Sequence, residues 1–212
     1  TAAAIGPADR VLEPSAGTGL LAILAEIAGG AVMLNELAET RSALLTSLFP
    51  AVPVARFDAA QIDDHLDPAA VPSVVLMNPP FSAMANVAGR VADTAYRHIA
   101  SALARLADGG RLVAITGASF GPDTPAWHDA FVRLQERGRI VFTAAIDGAV
   151  YAKHGTTIDT RLIVIDKAPA ENPTTLPESR GIALAVATLL SWIAEHVPAR
   201  LALAPSLAIP VS

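Results

Sequence analysis

Arg10-Val11-Leu12-Glu13-Pro14-Ser15-Ala16-Gly17-Thr18-Gly19-Leu20-Leu21 reads as a short strand, a glycine turn and the start of a helix. Leu20, Leu21, Ile23, Leu24 and Ile27 recur at helical spacing, and Gly29-Gly30 closes the helix. Gly17 and Gly19 allow the backbone turn conformations denied to other residues and let it pass close to a ligand. The same alternation continues outward from this unit. Strands are predicted near Val11–Glu13, Val32–Leu34, Val52–Phe57, Val74–Met77, Leu112–Thr116, Ile140–Ala145 and Arg161–Asp166. Helices are predicted near Leu20–Ala28, Glu39–Leu48, Arg90–Leu106, Trp127–Arg137 and Ile182–His196. Strand and helix in turn mean an α/β fold with a mostly parallel, doubly wound sheet. Ligands of such sheets bind at the carboxyl edges of the strands.

The second strand ends at Asn35-Glu36, 17 residues past Gly19, where a carboxylate can accept both ribose hydroxyls of a nucleoside. Taken alone, Gly17-x-Gly19-x-x-Ala22 with a later acid also fits a dinucleotide-binding turn. Two features oppose a dinucleotide. Glu13 stands just before the loop, where its charge would repel a pyrophosphate but attract a cationic amino-acid group. Asp58, in Arg56-Phe57-Asp58-Ala59, follows the third strand and can accept a hydrogen bond from an adenine amine. Acids after strands one, two and three describe a pocket for S-adenosylmethionine, whose sulfonium and ammonium are both positive.

Val74-Val75-Leu76-Met77-Asn78-Pro79-Pro80-Phe81 supplies the other half. Prolines lack the N–H a central ladder needs, so this strand must stop at Asn78, at the carboxyl edge. An amide, a rigid carbonyl and an aromatic ring there suit a planar group that bears an amine. The Asn78 side-chain oxygen and the Pro79 carbonyl would accept the two N–H bonds, localise the nitrogen lone pair and favour the transition state as positive charge develops. Phe81 would stack on the ring.

This order of motifs resembles the amino-methyltransferases of the class I S-adenosylmethionine-dependent fold, in particular the DNA adenine-N6 group. The resemblance covers roughly residues 8 to 167. It implies that Glu13, Pro14, Ser15, Ala16, Gly17 and Gly19 form the loop on the methionine side. Glu36, with Leu37, looks like the ribose acid, and Asp58, with Ala59, like the adenine contact. Asn78, Pro79, Pro80 and Phe81 look like the clamp on the target base. The fold it implies is Rossmann-like, seven-stranded, with a reversed last strand that Arg161–Asp166 would supply. The stretches Asn35 to Arg41, Asn78 to Ala83 and His154 to Leu162 are also similar to the methylase-like domain that precedes the helicase in bacterial strawberry notch-like proteins. Two departures stand out: only Thr1 to Pro7 precede the first strand, where relatives carry a segment that helps enclose the cofactor, and no target-recognition domain is recognisable.

Of 212 residues, 52% are hydrophobic and 17% charged, with a net charge of −5. The reading is a methyltransferase domain over 1–167 and a proline-rich linker with a C-terminal helix over 168–212. The charge opposes unaided binding of a nucleic acid backbone, which draws on phosphate neutralisation. If the substrate is DNA, another domain of a larger chain is expected to supply that affinity. Arg133, Arg137 and Arg139, the tightest basic group, read as a solvated helix face. No run reaches the roughly 18 apolar residues of a membrane span and no signal peptide is read. The chain has no cysteine, which excludes disulfides and thiolate metal sites and fits a cytoplasmic setting. No metal is expected. Ser82 to Gly89 reads as a loop over the target site, and Asp147 to Thr160, with Tyr151, Lys153 and His154, as a segment facing the substrate.

Overall fold

The computed structural model of the chain describes residues 1–79 and 88–204. Pro80, Phe81 and most of the loop expected over Ser82 to Gly89 therefore lie outside the described residues. Strands β1 (Arg10–Glu13), β2 (Ala31–Asn35), β3 (Val54–Ala55), β4 (Val74–Met77), β5 (Arg111–Gly117), β6 (Arg139–Ile146), β7 (Thr160–Asp166) and β8 (Ile182–Ala183) form one sheet. Its order is β3-β2-β1-β4-β5-β7-β6-β8. Only β7 runs antiparallel to its neighbours, β5 and β6. The chain order reverses between β1 and β4, so a crevice opens beyond their carboxyl ends.

Helices α1 (Leu20–Ile27), α2 (Glu39–Leu48), α3 (Ile62–His65), α4 (Ala88–Arg105), α5 (His128–Gln135) and α6 (Val186–His196) cover the sheet. One core layer joins Leu12, Val75, Met77 and Leu112 to Ile62 of α3, Ile99 and Leu103 of α4, and Phe131 of α5. The opposite layer joins Val11, Val74, Phe142 and Val164 to Ala25 of α1 and Ile193 of α6. The seven strands expected from sequence are all present, with β7 reversed.

The differences have physical causes. The third strand shrinks from the expected Val52–Phe57 to two residues, because Pro53 lacks an N–H and the Phe57 N–H is taken by the Asn35 side chain. Ile182 and Ala183, assigned to the last helix, form β8 instead. They pair with Ala145 and Ile146 on the edge of β6, whose open backbone groups need partners. The apolar run that defined α1 is real, but its large side chains face outward. Leu20 is 66% and Ile27 78% exposed, while Ala22 and Ala25 are buried. Small residues on the inner face let this helix sit close against the sheet.

Residues 168 to 204 fold back along the sheet through β8 and α6. Arg200 donates to both carboxylate oxygens of Asp9 at 2.6 and 2.8 Å. The buried pair Arg111–Asp166, cross-strand neighbours on β5 and β7, is bidentate at 2.7 and 3.1 Å. Arg111 also donates to the carbonyls of Ala2 and Pro198, which ties both ends of the described chain to the centre of the sheet.

Candidate active site

The glycine turn sits over the end of β1. Gly17 has φ +55°, and a Cβ there would point into open space. Its N–H donates to Glu36 Oε2 at 2.9 Å, which links the turn to the end of β2. Gly19 serves another purpose. It has φ +82°, and a Cβ there would meet Leu45 Cδ2 at 2.8 Å and Phe49 Cε2 at 2.9 Å, so it permits α2 to pack against the start of α1. Ala16 is likewise buried, in the small cluster with Leu45 and Phe49.

Glu36 is held at three points. Besides Gly17, the Ala38 N–H donates to Oε1 at 2.9 Å and the Arg41 guanidinium donates to the same oxygen at 2.8 Å. Burial pushes its carboxyl upward, but these bonds and the Arg41 charge outweigh it and hold Glu36 below the usual carboxylate range. Glu13 has the opposite fate. It is 4% exposed, one oxygen accepts from the Ala22 N–H, and Oε2 has no partner among the described residues. Burial, with a further push from Glu36, raises it to about 8. Two neighbouring acids thus differ in charge at neutral pH, because only one of them has a counter-ion.

Asn35 fastens the loops on either side. Its amide donates to the Pro14 carbonyl at 2.8 Å and the Phe57 carbonyl at 2.9 Å, and its oxygen accepts from the Phe57 N–H at 2.8 Å. The ends of β1, β2 and β3 are therefore locked together by one side chain. Beyond it, Asp58 caps the 3₁₀ turn Ala59–Gln61 by accepting from the Ala60 N–H at 2.9 Å. Phe57 stacks on His65 with ring centroids 4.8 Å apart.

These elements enclose a cavity of about 610 Å³. Pro14, Ser15, Gly17, Glu36, Leu37, Asp58, Ala59 and Asn78 all line it, so motifs far apart in sequence meet in one place. Glu13, Ala16, Gly19 and Pro79 are not in its lining, and Pro79 is buried. Asn78 is exposed, and its amide makes no hydrogen bond to another described residue. Thr18, Asn35, Arg41, Phe57 and His98 also line it and were not singled out from sequence as site residues. Arg41 lies one turn into α2, five residues past Glu36, a spacing that could have pointed to the pair. His98, in the middle of α4, carried no signal at all.

The segment after β6 is a 3₁₀ helix, Gly148–His154. Tyr151, expected to face substrate, is half-buried and its hydroxyl pairs with Thr160 Oγ1 at 3.0 Å. Arg133, on α5, lies over the Tyr96 ring at 5.5 Å.

No protein-family profile matches the sequence, and no curated protein matches it by sequence. Solved structures do match it in fold. TrmN from Thermus thermophilus is 20% identical, with a TM-score of 0.56, over 78% of this chain and 46% of that protein. The M protein of the type I restriction enzyme EcoKI is 14% identical, with a TM-score of 0.63, over 83% of this chain and 43% of that protein. A Streptococcus mutans protein described as a methyltransferase, solved in complex with SAH, is 14% identical with a TM-score of 0.52, over 79% of this chain and 93% of its own. The chain spans less than half the length of the first two. At these identities the likeness establishes the architecture: this chain has the Rossmann-like fold of the class I methyltransferases.

Proposed function

We propose that this chain is a methyltransferase domain that uses S-adenosylmethionine to methylate an exocyclic amine, adenine N6 in DNA. The observation that carries the reading is the single cavity that gathers Gly17, Glu36, Asp58 and Asn78 at the carboxyl edge where the strand order reverses. The residues present fit the cofactor. The open space above Gly17 is what a backbone cradle needs, and a Cβ would fill it. Glu36 Oε2 has one partner and keeps lone-pair capacity for ribose hydroxyls. Asp58 offers a half-exposed carboxylate for the adenine amine. Glu13, buried and lacking a counter-ion, would gain one from a nearby ammonium.

When bound, the cofactor supplies an electrophilic methyl group on a sulfonium. The chain's part is placement. Asn78 Oδ1 and the Pro79 carbonyl would accept the two N–H bonds of the amine and stabilise the positive charge that grows on its nitrogen; stacking on the base is the role proposed for Phe81, which lies outside the described residues. A base in duplex DNA would have to be extruded to reach them. The net charge of −5 favours a further domain of a larger chain as the source of DNA affinity. We place that larger protein in the cytoplasm, and the likeness to strawberry notch-like helicase proteins is one candidate for it. Among the described residues no helix is long and apolar enough to cross a membrane.

The same clamp would accept guanine N2 in RNA or a protein glutamine amide, because both present an NH₂ on an sp² carbon. A non-catalytic module of a nucleic-acid machine is the reading that the acidic charge favours. Incubation with methyl-labelled cofactor and duplex DNA, structured RNA or a glutamine-bearing protein separates these. The expected product is N6-methyladenine in DNA. Label in RNA or protein alone would replace the acceptor, and cofactor binding without transfer to any of them would support the module.

A further inference from the structure

His98 is placed where packing alone does not require an imidazole. It is 7% exposed, projects from α4 into the lining of the cavity, and puts Nε2 3.9 Å from Asp58 Oδ1. On its other side Nδ1 is buried without a hydrogen-bond partner among the described residues. Burial, helped by Arg97, disfavours the charged ring more than Asp58 favours it, so the imidazole is neutral and carries one N–H. With no acceptor facing Nδ1 among the described residues, the proton belongs on Nε2, toward Asp58 and the cavity. At 3.9 Å, however, Nε2–H is too far from Asp58 for a direct hydrogen bond. The carboxylate meanwhile holds the Ala60 N–H on Oδ1 and keeps capacity on its other oxygen.

A free donor and a free acceptor therefore stand side by side at one end of the cavity. That is the complement of a purine edge with an amine next to an unprotonated ring nitrogen. We propose that His98 is a specificity-determining residue of the cofactor pocket, donating from Nε2 to a ring nitrogen of adenine while Asp58 accepts from the adjacent amine. The inference rests on the methyltransferase reading and deepens it. A 6-oxo purine would turn a carbonyl toward the Asp58 carboxylate, so the pair rejects it by repulsion as well as by a lost bond.

The test is calorimetric titration of wild type, His98→Phe and His98→Gln with S-adenosylhomocysteine, its inosine counterpart, and its 1-deaza and 7-deaza forms. Wild type is expected to bind the adenosyl compound at least about 100-fold more tightly than the inosyl one. It should lose about tenfold with whichever deaza form removes the nitrogen that His98 reads. His98→Phe should lose about tenfold for the parent compound and show no further loss for that deaza form. His98→Gln, which restores a donor, should recover most of the affinity. An equal deaza loss in wild type and His98→Phe would overturn the inference, because a backbone N–H such as that of Ala59 would then be the reader. So would indifference of wild type to both deaza forms, or a uniform weakening of every compound by His98→Phe. If His98→Phe does not fold, the wild-type series and His98→Gln still decide. Adenosyl binding that ignores His98 sinks this inference alone, whereas no binding of any compound sinks the methyltransferase reading with it.

Discussion

Glu13→Gln is expected to gain stability over the wild-type chain as pH rises, the gap widening by about 3 kcal/mol between pH 4 and pH 7. Glu13 is buried, one of its oxygens is unpartnered, and its pKa is pushed up from 4.5 to about 8. A carboxyl raised in this way holds its proton in the folded chain after the unfolded chain has released it. Wild-type stability therefore falls as pH rises from 4.5 toward about 8, and levels off above that. Glutamine is neutral in both states and lacks this decline. Asp9 and Glu36 act in the other direction. Both are held below their usual range, so they contribute stability above the unfolded value that is lost as pH falls through the folded one. They are common to both proteins and cancel in the comparison. Urea unfolding of the two proteins at pH 4, 5.5 and 7 measures the gap; parallel curves would show that Glu13 is already ionised and compensated. The same substitution should weaken S-adenosylmethionine binding, since the charge that an ammonium would draw out of Glu13 is gone.

Asn78→Ala is expected to lower methyl transfer by at least about 10²–10³-fold while cofactor affinity stays within about twofold of wild type. The side chain lies at the end of β4, exposed to the cavity and without a hydrogen bond to another described residue, so its loss leaves no buried group unpaired. Its proposed bonds form with the amine and strengthen only as charge develops there, which places the loss in the chemical step. Single-turnover transfer and cofactor titration, run on the same preparation, separate the two quantities. A parallel fall in both would show that Asn78 supports the cofactor, not the acceptor.

The sheet was legible because βα alternation and right-handed crossovers leave few topologies open, and the apolar strands were long enough to locate. What escaped was decided by tertiary demand. Periodicity located α1 but not which side it buries, since an outward stripe of leucines and an inward one have the same spacing. Ile182 and Ala183 became a strand only because β6 left an edge to fill. In the candidate site, Glu36, Asp58 and Asn78 were found by their place after strands, whereas Glu13, placed by the same rule, stays outside the lining. Asn35 reads as an ordinary strand end until its three bonds to Pro14 and Phe57 are seen. His98 was invisible, since a lone histidine within a helix has no pattern to betray that it borders a cavity 40 residues away from Asp58 in sequence.

Calorimetric titration of this chain with S-adenosylmethionine, with NAD as the control, decides whether the cavity is a cofactor site. Saturable binding of S-adenosylmethionine and no binding of NAD are expected, with at least about tenfold weaker binding in Glu36→Ala, which removes both the proposed ribose acceptor and the anchor of the Gly17 N–H. Binding of NAD in preference, or a well-folded chain that binds neither, would contradict that expectation.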